Sequence, residues 1–521
     1  MASAAIAAFS VPAELRVEKT RSFYGLSVFS DEWSKAICMH SEWPVHFFVP
    51  LGQMDAAERA IAAWPGGAGS RCLVFPLDDF PRACSRTDYV AVHCPLGPRI
   101  GSLGSVVHCA SPTPVPVTVT HHSVSYPMML DMVLQQLLGD VRPWDAIVCP
   151  SHASMAAHKA IVTHLSSWVA DVHGITIAPQ NRWRVIPHGV DIARYQPLAK
   201  SIGRQVLGLP EDAILLLAPG RIATMDKADL LPLLRVVSEL DGRVHLAISG
   251  ADSNGSVADL RRFLQPLGLS ARVHVFTDVP PALMVLLYQA ADVAVFVYDN
   301  VQESFGMAIT EAMACGLPCI VSAWNGLREV VVDGEDGYHI PTYYTPTARL
   351  DQMAEMEELH AANHLRLAQV TAIDLRALRD VLERLVADPP RIAAMSAKAR
   401  EHARAEYAWD KVIAKYENLW VECKEEARRS AYRTNPGPRF PLSEIFRHYG
   451  APLPEDFIVS PERPAIAWES CYSRFPDLPH AVSRHDVAAI LTGPGRADRS
   501  PELSQARAWA LKHGYIQVAA P

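Results

Sequence analysis

"DVAVFVYDNVQESFGMAITEAMACGLPCIVSA", residues 292–323, holds in one run a strand, a polar loop, a short helix and a second strand. "DVAVFVY" and "PCIVSA" are rich in β-branched or aromatic residues and apolar without alternation, which suits strands covered on both faces. Between them "GMAITEAMACG" has helical character and ends on glycine. A strand, a helix and a strand in that order predict one parallel crossover.

The same unit recurs outward from it. Upstream, strands "AILLLAPG", "RVHLAISG" and "RVHVFTDV" alternate with helices "DLLPLLRVVSEL", "VADLRRFLQPLGL" and "PALMVLLYQAA", predicting a doubly wound parallel sheet. Pro280 and Pro281 mark a helix start, where a missing amide hydrogen has no partner to lose. Further back, "HFFVPLG", "CLVFPL", "YVAVHC", "VPVTVTHH", "AIVCPS" and "WRVIPHG" form a second set of short buried-looking runs. The fold class is therefore α/β: two Rossmann-like parallel-sheet domains facing a cleft, with a C-terminal appendage. The boundaries are 1–190 for the first domain and 191–400 for the second, interrupted by an insertion at 342–366. Helices follow at 401–433 and the appendage at 434–521, after the Pro-rich "TNPGPRFPLSEIF". Its last part, "HDVAAILTG…SQARAWALKHGYIQV", suggests a small helical or winged-helix element.

At 521 residues the chain exceeds one ordinary core. A formal charge of −8 gives no global attraction to nucleic acid or anionic lipid. The ten cysteines are scattered without paired C-x-x-C spacing, several of them in strand-like runs, and read as reduced core residues. The apolar start lacks a basic segment and is too short to span a bilayer, so cytoplasmic placement is the expectation. "DKVIAKYENLWVECKEEARR" carries basic and aromatic residues that invite peripheral membrane contact, but its interleaved glutamates favour a packed helix.

Chemistry concentrates at 303–311. A helix starting near Phe305 or Gly306 leaves the amides of Gly306, Met307 and Ala308 free for a phosphate at the carboxyl ends of the strands. Eight residues at about 1.5 Å rise put Glu303 and Glu311 about 12 Å apart on either side of those amides. Carboxylates repel phosphate but accept hydrogen bonds from hydroxyls. A sugar, a diphosphate and a ribose in series meet all three demands. Glu303 would hold the sugar and Glu311 the ribose.

The block "ESFGMAITEAMACGLPCIVSAWNGLREVVVDGEDGYHIP" resembles the donor-binding signature of retaining glycosyltransferases of family 4, which have the GT-B fold. "VIPHGVDIARYQP" resembles that family's interdomain segment, and "LLAPGRIATMDKADLLPLL" its strand, basic loop and helix. The resemblance covers residues 140–430. It implies Gly220, Ser304 and Phe305 at the donor, with Arg221 and Lys227 neutralising the diphosphate, as fixed cations stabilise a departing nucleotide. "RIATMDKAD" has one residue more than the family's usual spacing, and Ala228 stands where a glycine often follows. The resemblance also implies His122, rather than His121, facing the sugar, and Gly25 as a loop glycine admitting close approach. By it the 401–433 helices would return to the first domain.

The implied reaction is transfer of a sugar from a nucleoside diphosphate, UDP or GDP, to an acceptor hydroxyl with retention. Glu303, His122, Arg221 and Lys227 would serve catalysis. The donor is a co-substrate, and neither cofactor nor metal is expected, since there is no D-x-D, Walker loop or H-E-x-x-H. A glycan or other envelope-related molecule is the family's common acceptor; a protein or small metabolite is the other choice. A phosphorylase, a nucleotide-sugar epimerase and a non-catalytic sugar-nucleotide scaffold are the competing readings.

Overall fold

The computed structural model describes residues 5–9, 25–65, 69, 71–97, 99–126, 128–252, 255–345, 361–434, 442–445, 457–459, 466–473, 482–492 and 501–518. They fall into two compact units, Met1–Gly437 and Pro438–Pro521.

The first unit contains both large sheets. Strands β1 (Ile6–Ala8), β2 (Val45–Val49), β3 (Cys72–Pro76), β4 (Ala91–Cys94), β5 (Val117–Thr120), β6 (Ala146–Cys149) and β7 (Arg182–Val185) form one sheet in the order β3-β2-β1-β4-β5-β6-β7. Strands β8 (Ile214–Pro219), β9 (Val244–Gly250), β10 (Val273–Thr277), β11 (Val293–Phe296), β12 (Cys319–Ser322) and β13 (Gly337–Ile340) form the other, in the order β10-β9-β8-β11-β12-β13. Every pairing in both sheets is parallel. The strand order reverses between β1 and β4 and between β8 and β11, and ligands of such sheets bind beyond the carboxyl ends of the strands at those points.

β1 was not anticipated as a strand. Its sequence, Ile-Ala-Ala, is short and weak in β-propensity, yet it is fully buried and lies third in a seven-stranded sheet. The cysteines also need a correction: Cys38, near the end of the Gly25–His40 helix, forms a disulfide with Cys72 at the start of β3. Their Cα atoms lie 6.4 Å apart, although 34 positions separate them in sequence, a pairing no local spacing signals.

The chain passes between the two halves twice. The outward passage at Val190 and the return at Ala408 are bridged side by side, with the Val190 amide donating to the Tyr407 carbonyl at 2.8 Å. The returning 21-residue helix Trp409–Arg429 completes the first half's core. Trp420 Nε1 donates to Thr118 Oγ1 at 2.9 Å, the Tyr416 hydroxyl meets Thr120 Oγ1 at 2.9 Å, and Lys424 Nζ bonds the carbonyls of Tyr89 and Pro114. The helix's aromatic residues Trp409, Tyr416 and Trp420 are all buried in the protein's own core.

Of the 342–366 insertion, strand β14 (Thr342–Tyr344) and the start of the helix Ala361–Ala368 are described, β14 pairing antiparallel with β15 (Thr371–Ile373); residues 346–360 lie outside the described residues. In the second unit β16 (Phe457–Val459) pairs antiparallel with β17 (Ile516–Val518), and helices Arg484–Thr492 and Pro501–Lys512 share a core of Val487, Ile490, Ala506 and Ala510. Among the described residues no helix is long and apolar enough to cross a membrane.

Candidate active site

β8 and β11 are neighbours at the reversal of the second sheet, so the loops leaving them open into one crevice. The β8 loop begins at Gly220, with φ +134; a Cβ there would stand 2.6 Å from the Tyr298 hydroxyl. The loop then turns back, the amides of Lys227 and Ala228 both donating to the Ala223 carbonyl at 2.9 and 3.2 Å. Lys227 Nζ pairs with Glu303 Oε2 and stands 4.5 Å from the centre of the Tyr298 ring. Tyr298 is fixed by its hydroxyl, which donates to the Pro219 carbonyl at 2.7 Å. Arg221 is tied within its own loop, its Nη1 donating to both oxygens of Asp226 at 3.0 and 3.1 Å.

Glu303 sits in the β11 loop, held by Asn325, whose Nδ2 donates to the Glu303 carbonyl at 2.6 Å. Its Oε1 accepts the amides of Ser304 and Phe305 at 3.2 and 3.3 Å. Burial pushes this carboxyl's pKa up, but Lys227 and the two amides outweigh it, leaving the net shift downward and the group ionised. The Ser304 carbonyl accepts from Ser151 Oγ of the first half at 2.8 Å. Phe305 turns its ring into the core, between His188 and Tyr407 at 5.1 and 5.9 Å, so it has only its backbone to offer a ligand.

The helix runs Met307–Ala314, capped by Gly306 at φ +93. Its first bond is from the Ile309 amide to the Gly306 carbonyl at 2.9 Å, so the amides of Gly306, Met307 and Ala308 precede the helical ladder. Glu311, one turn in, accepts from the Tyr288 hydroxyl at 2.7 Å and from Tyr195. Burial raises its pKa, and the two phenols and Arg194 only partly oppose this.

In the first half His122 follows β5. Its Nε2 donates to the Pro95 carbonyl at 2.7 Å, so in the neutral ring only Nδ1 remains, as an acceptor. Its ring packs on Phe29 and His188, 4.8 and 5.2 Å away, and burial pushes its pKa down to about 4. His188, from "VIPHGVD", thereby links His122 to Phe305. His121 is wholly buried against His158. Gly25 is the first residue of a helix and is exposed, and a Cβ there would meet no protein atom within 4 Å; residues 10–24 before it lie outside the described residues.

Sequence reading passed over several residues here. Glu32, on the Gly25–His40 helix, accepts from Trp409 Nε1 at 3.3 Å while its Oε1 is buried without a partner. Burial, and then the charge of Glu311, push its pKa up to about 8. Glu329 accepts the amides of His152 and Ala153 at 2.7 and 2.8 Å, placing a carboxylate of the second half on the start of a 22-residue helix of the first. Only their tertiary neighbours single these residues out; Tyr288 and Tyr298 belong to the apolar runs "PALMVLLYQAA" and "DVAVFVY", where nothing local marks them for a site. Among the described residues no three His, Cys, Asp or Glu side chains group to hold a metal ion.

Residues 200–368 match the family described as "Glycosyl transferases group 1". Curated relatives include D-inositol 3-phosphate glycosyltransferases from Xylanimonas cellulosilytica, 28% identical over 54% of this chain and 62% of that one, and from Thermomonospora curvata, 33% identical over 38% and 50%. The chain thus spans about half to three fifths of the length of these relatives. Among solved structures, sucrose-phosphate synthase from Thermosynechococcus elongatus superposes with TM-score 0.54 at 17% identity, covering 81% of this chain and 100% of that one. Anabaena Alr3699/HepE in complex with UDP superposes with TM-score 0.55 at 15% identity, covering 80% and 100%. At such identities the likeness establishes the fold, which is GT-B: two all-parallel Rossmann-like sheets with a crevice between them.

Proposed function

We propose that this chain is a glycosyltransferase that moves a sugar from a nucleoside-diphosphate sugar to an acceptor hydroxyl with retention at the anomeric carbon. The observation that carries the reading is the Lys227–Glu303 pair set beside the three leading amides of the Met307–Ala314 helix, at the reversal of a GT-B sheet. In this reading the diphosphate takes the amides and Lys227, which exchanges its carboxylate partner for phosphate oxygens, and Arg221 adds charge from the adjoining loop. Glu303 accepts from the sugar's hydroxyls and Glu311 from the ribose. The Glu311 carboxylate keeps lone pairs beyond those its two tyrosines occupy. His122 Nδ1 accepts from the same sugar. The leaving phosphate helps take the acceptor's proton, so the protein supplies position and fixed charge rather than a nucleophile or a metal ion.

UDP is the nucleotide expected, in keeping with the UDP complex of the Anabaena neighbour. The acceptor is a polyhydroxylated molecule; the named relatives act on an inositol phosphate, and an envelope glycan is the other class. The test is a thermal-shift screen of the purified chain against sugar nucleotides, since a ligand of the folded state raises its melting temperature, followed by product analysis. Release of nucleoside diphosphate with an α-linked product from an α-linked donor supports the reading. No stabilisation by any sugar nucleotide, or release of sugar 1-phosphate, refutes it.

A further inference from the structure

Glu311 is held by two phenols from different parts of the chain. Tyr288, on the helix Pro281–Ala290, donates its hydroxyl to Glu311 Oε2 at 2.7 Å, and Tyr195, in the outward passage between the halves, donates to the same side chain. The two rings meet edge-on, 5.9 Å apart, and both residues are buried. Tyr195 is fixed by its backbone as well, its amide donating to the Asp191 carbonyl at 2.9 Å. Glu311 is not sealed in with them. In the Met307–Ala314 helix, Met307, Ala308 and Glu311 are half-buried and the rest are buried. Positions three and four apart lie on one face of a helix, so Glu311 shares its side with the two residues whose amides lead that helix.

Burial pushes the pKa of both phenols up, so each keeps its hydrogen and gives it to the acid. Burial raises the pKa of Glu311 too, and Tyr288, Tyr195 and Arg194 oppose that shift. Arg194 is engaged elsewhere, lying 5.2 Å from the centre of the Tyr195 ring and donating to the Pro281 carbonyl at 3.4 Å. Glu32 of the Gly25–His40 helix, Tyr298 after β11 and Cys315 at the end of the Glu311 helix are also within electrostatic reach and bring no positive charge. The phenols are therefore the groups that touch the carboxylate and favour its charged form, and two charge-assisted bonds also fix its plane. A protonated acid would turn one of its oxygens into a donor, whereas a carboxylate offers an incoming hydroxyl every lone pair the phenols leave. We propose that Tyr195 and Tyr288 are positioning residues that present Glu311 to the donor's ribose as a fixed, bare acceptor, and so set the discrimination between ribose and deoxyribose nucleotides. This rests on the glycosyltransferase reading above, in which Glu311 meets the ribose.

The experiment compares the full chain with Tyr288→Phe, Tyr195→Phe and the double variant, which keep both rings and remove the hydroxyls. Calorimetry measures Kd for UDP and for 2′-deoxy-UDP, or for the nucleoside diphosphate that stabilises the wild type most and its 2′-deoxy form, across the neutral and mildly alkaline range. The ratio of the two cancels the titration of the diphosphate, which both share. The wild type is expected to favour UDP about tenfold. In the double variant only Arg194 is left to oppose burial, so the carboxyl holds its proton to higher pH. The preference should therefore fall towards unity near neutral pH and return as the pH rises. Each single variant should show the same displacement in smaller measure, which keeps the test open if the double variant does not fold. Glu311→Gln, which cannot titrate, should give a ratio that does not vary with pH. The proposal is overturned if the phenylalanine variants keep the wild-type ratio at every pH, or if they lose affinity for both nucleotides in equal measure, the mark of phenols that only fill the core. A fall by the same factor at every pH overturns it too, for the phenols would then aim the acid without keeping it bare. A wild type that binds UDP without regard to the 2′-hydroxyl breaks the contact between Glu311 and the ribose, and one that binds no nucleoside diphosphate removes the glycosyltransferase reading; the inference falls with either.

Discussion

Replacing Glu303 by glutamine keeps the side chain's outline and removes its charge. Hydrogen bonds to a charged acceptor contribute about 1.5–3 kcal/mol against about 0.5–1.5 for neutral pairs. Two bonds to sugar hydroxyls that strengthen in the transition state therefore lose about 2–3 kcal/mol, or roughly 30–150-fold in kcat/KM. The diphosphate end should respond the other way. Lys227, its side chain 15% exposed, pairs with a carboxylate that is 12% exposed; without that counterion it is left for phosphate alone. UDP affinity in Glu303→Gln should hold or tighten while transfer collapses. The unliganded protein should lose about 1–3 kcal/mol, less than a fully buried pair would cost because the Tyr298 ring still underlies the ammonium. Coupled detection of UDP release gives kcat/KM, calorimetry gives the UDP Kd, and urea unfolding with and without UDP gives stability. Transfer within threefold of wild type would remove Glu303 from the sugar site. UDP affinity falling in step with transfer would show that the acid shapes the phosphate site instead.

The wild type is expected to prefer UDP over 2′-deoxy-UDP about tenfold, and Glu311→Ala should erase that preference, as calorimetry would read; an undiminished preference places the ribose elsewhere. Gly306→Ala puts a side chain at φ +93 with its Cβ 2.7 Å from Ile309 Cδ1, and should cost about 1–3 kcal/mol in urea unfolding and weaken UDP binding; a neutral result would mean the cap relaxes freely. Stability should rise with pH from about 4 to 6.5, because His122 and His158, with pKa values pushed down to about 4, and His93, to about 3, stay neutral when folded and take up protons on unfolding from near 6.5 downward. Glu32 acts oppositely: protonated in the folded chain up to about 8 and ionised in the unfolded chain above about 4.5, it erodes stability as pH climbs towards 8. Urea midpoints across pH should therefore peak near 6.5, with Glu32→Gln removing the alkaline decline; a midpoint flat from pH 4 to 8 contradicts both assignments.

The parallel sheets were legible because strands buried on both faces leave uninterrupted apolar runs, as in "ILLLAP" of β8 and "VAVF" of β11. β1 escaped because a strand of three small residues leaves no run to see. At the site, Glu303, Lys227, Gly306 and the helix start were marked by residue type and order along one crossover. What closes on them was not: Tyr195 and Tyr288 on Glu311, Asn325 on Glu303 and Ser151 on Ser304 come from elements far apart in the chain. A lone Ser or Glu such as Ser151 or Glu329 carries no local pattern, and its meaning exists only once the two sheets face each other. The disulfide is the same lesson at the level of pairing, for nothing in "AICMH" points to "RCLVF".

The first half is written in two instalments, and this governs how the chain is made. Its opening strand sits mid-sheet, but Tyr416 and Trp420, which seal its hydrophobic interior, are synthesised last, after the whole of the other sheet. A ribosome must therefore carry an unsealed greasy surface through more than two hundred codons, a period when aggregation competes with folding. Splitting the gene at the outward passage would not yield an independent amino-terminal module.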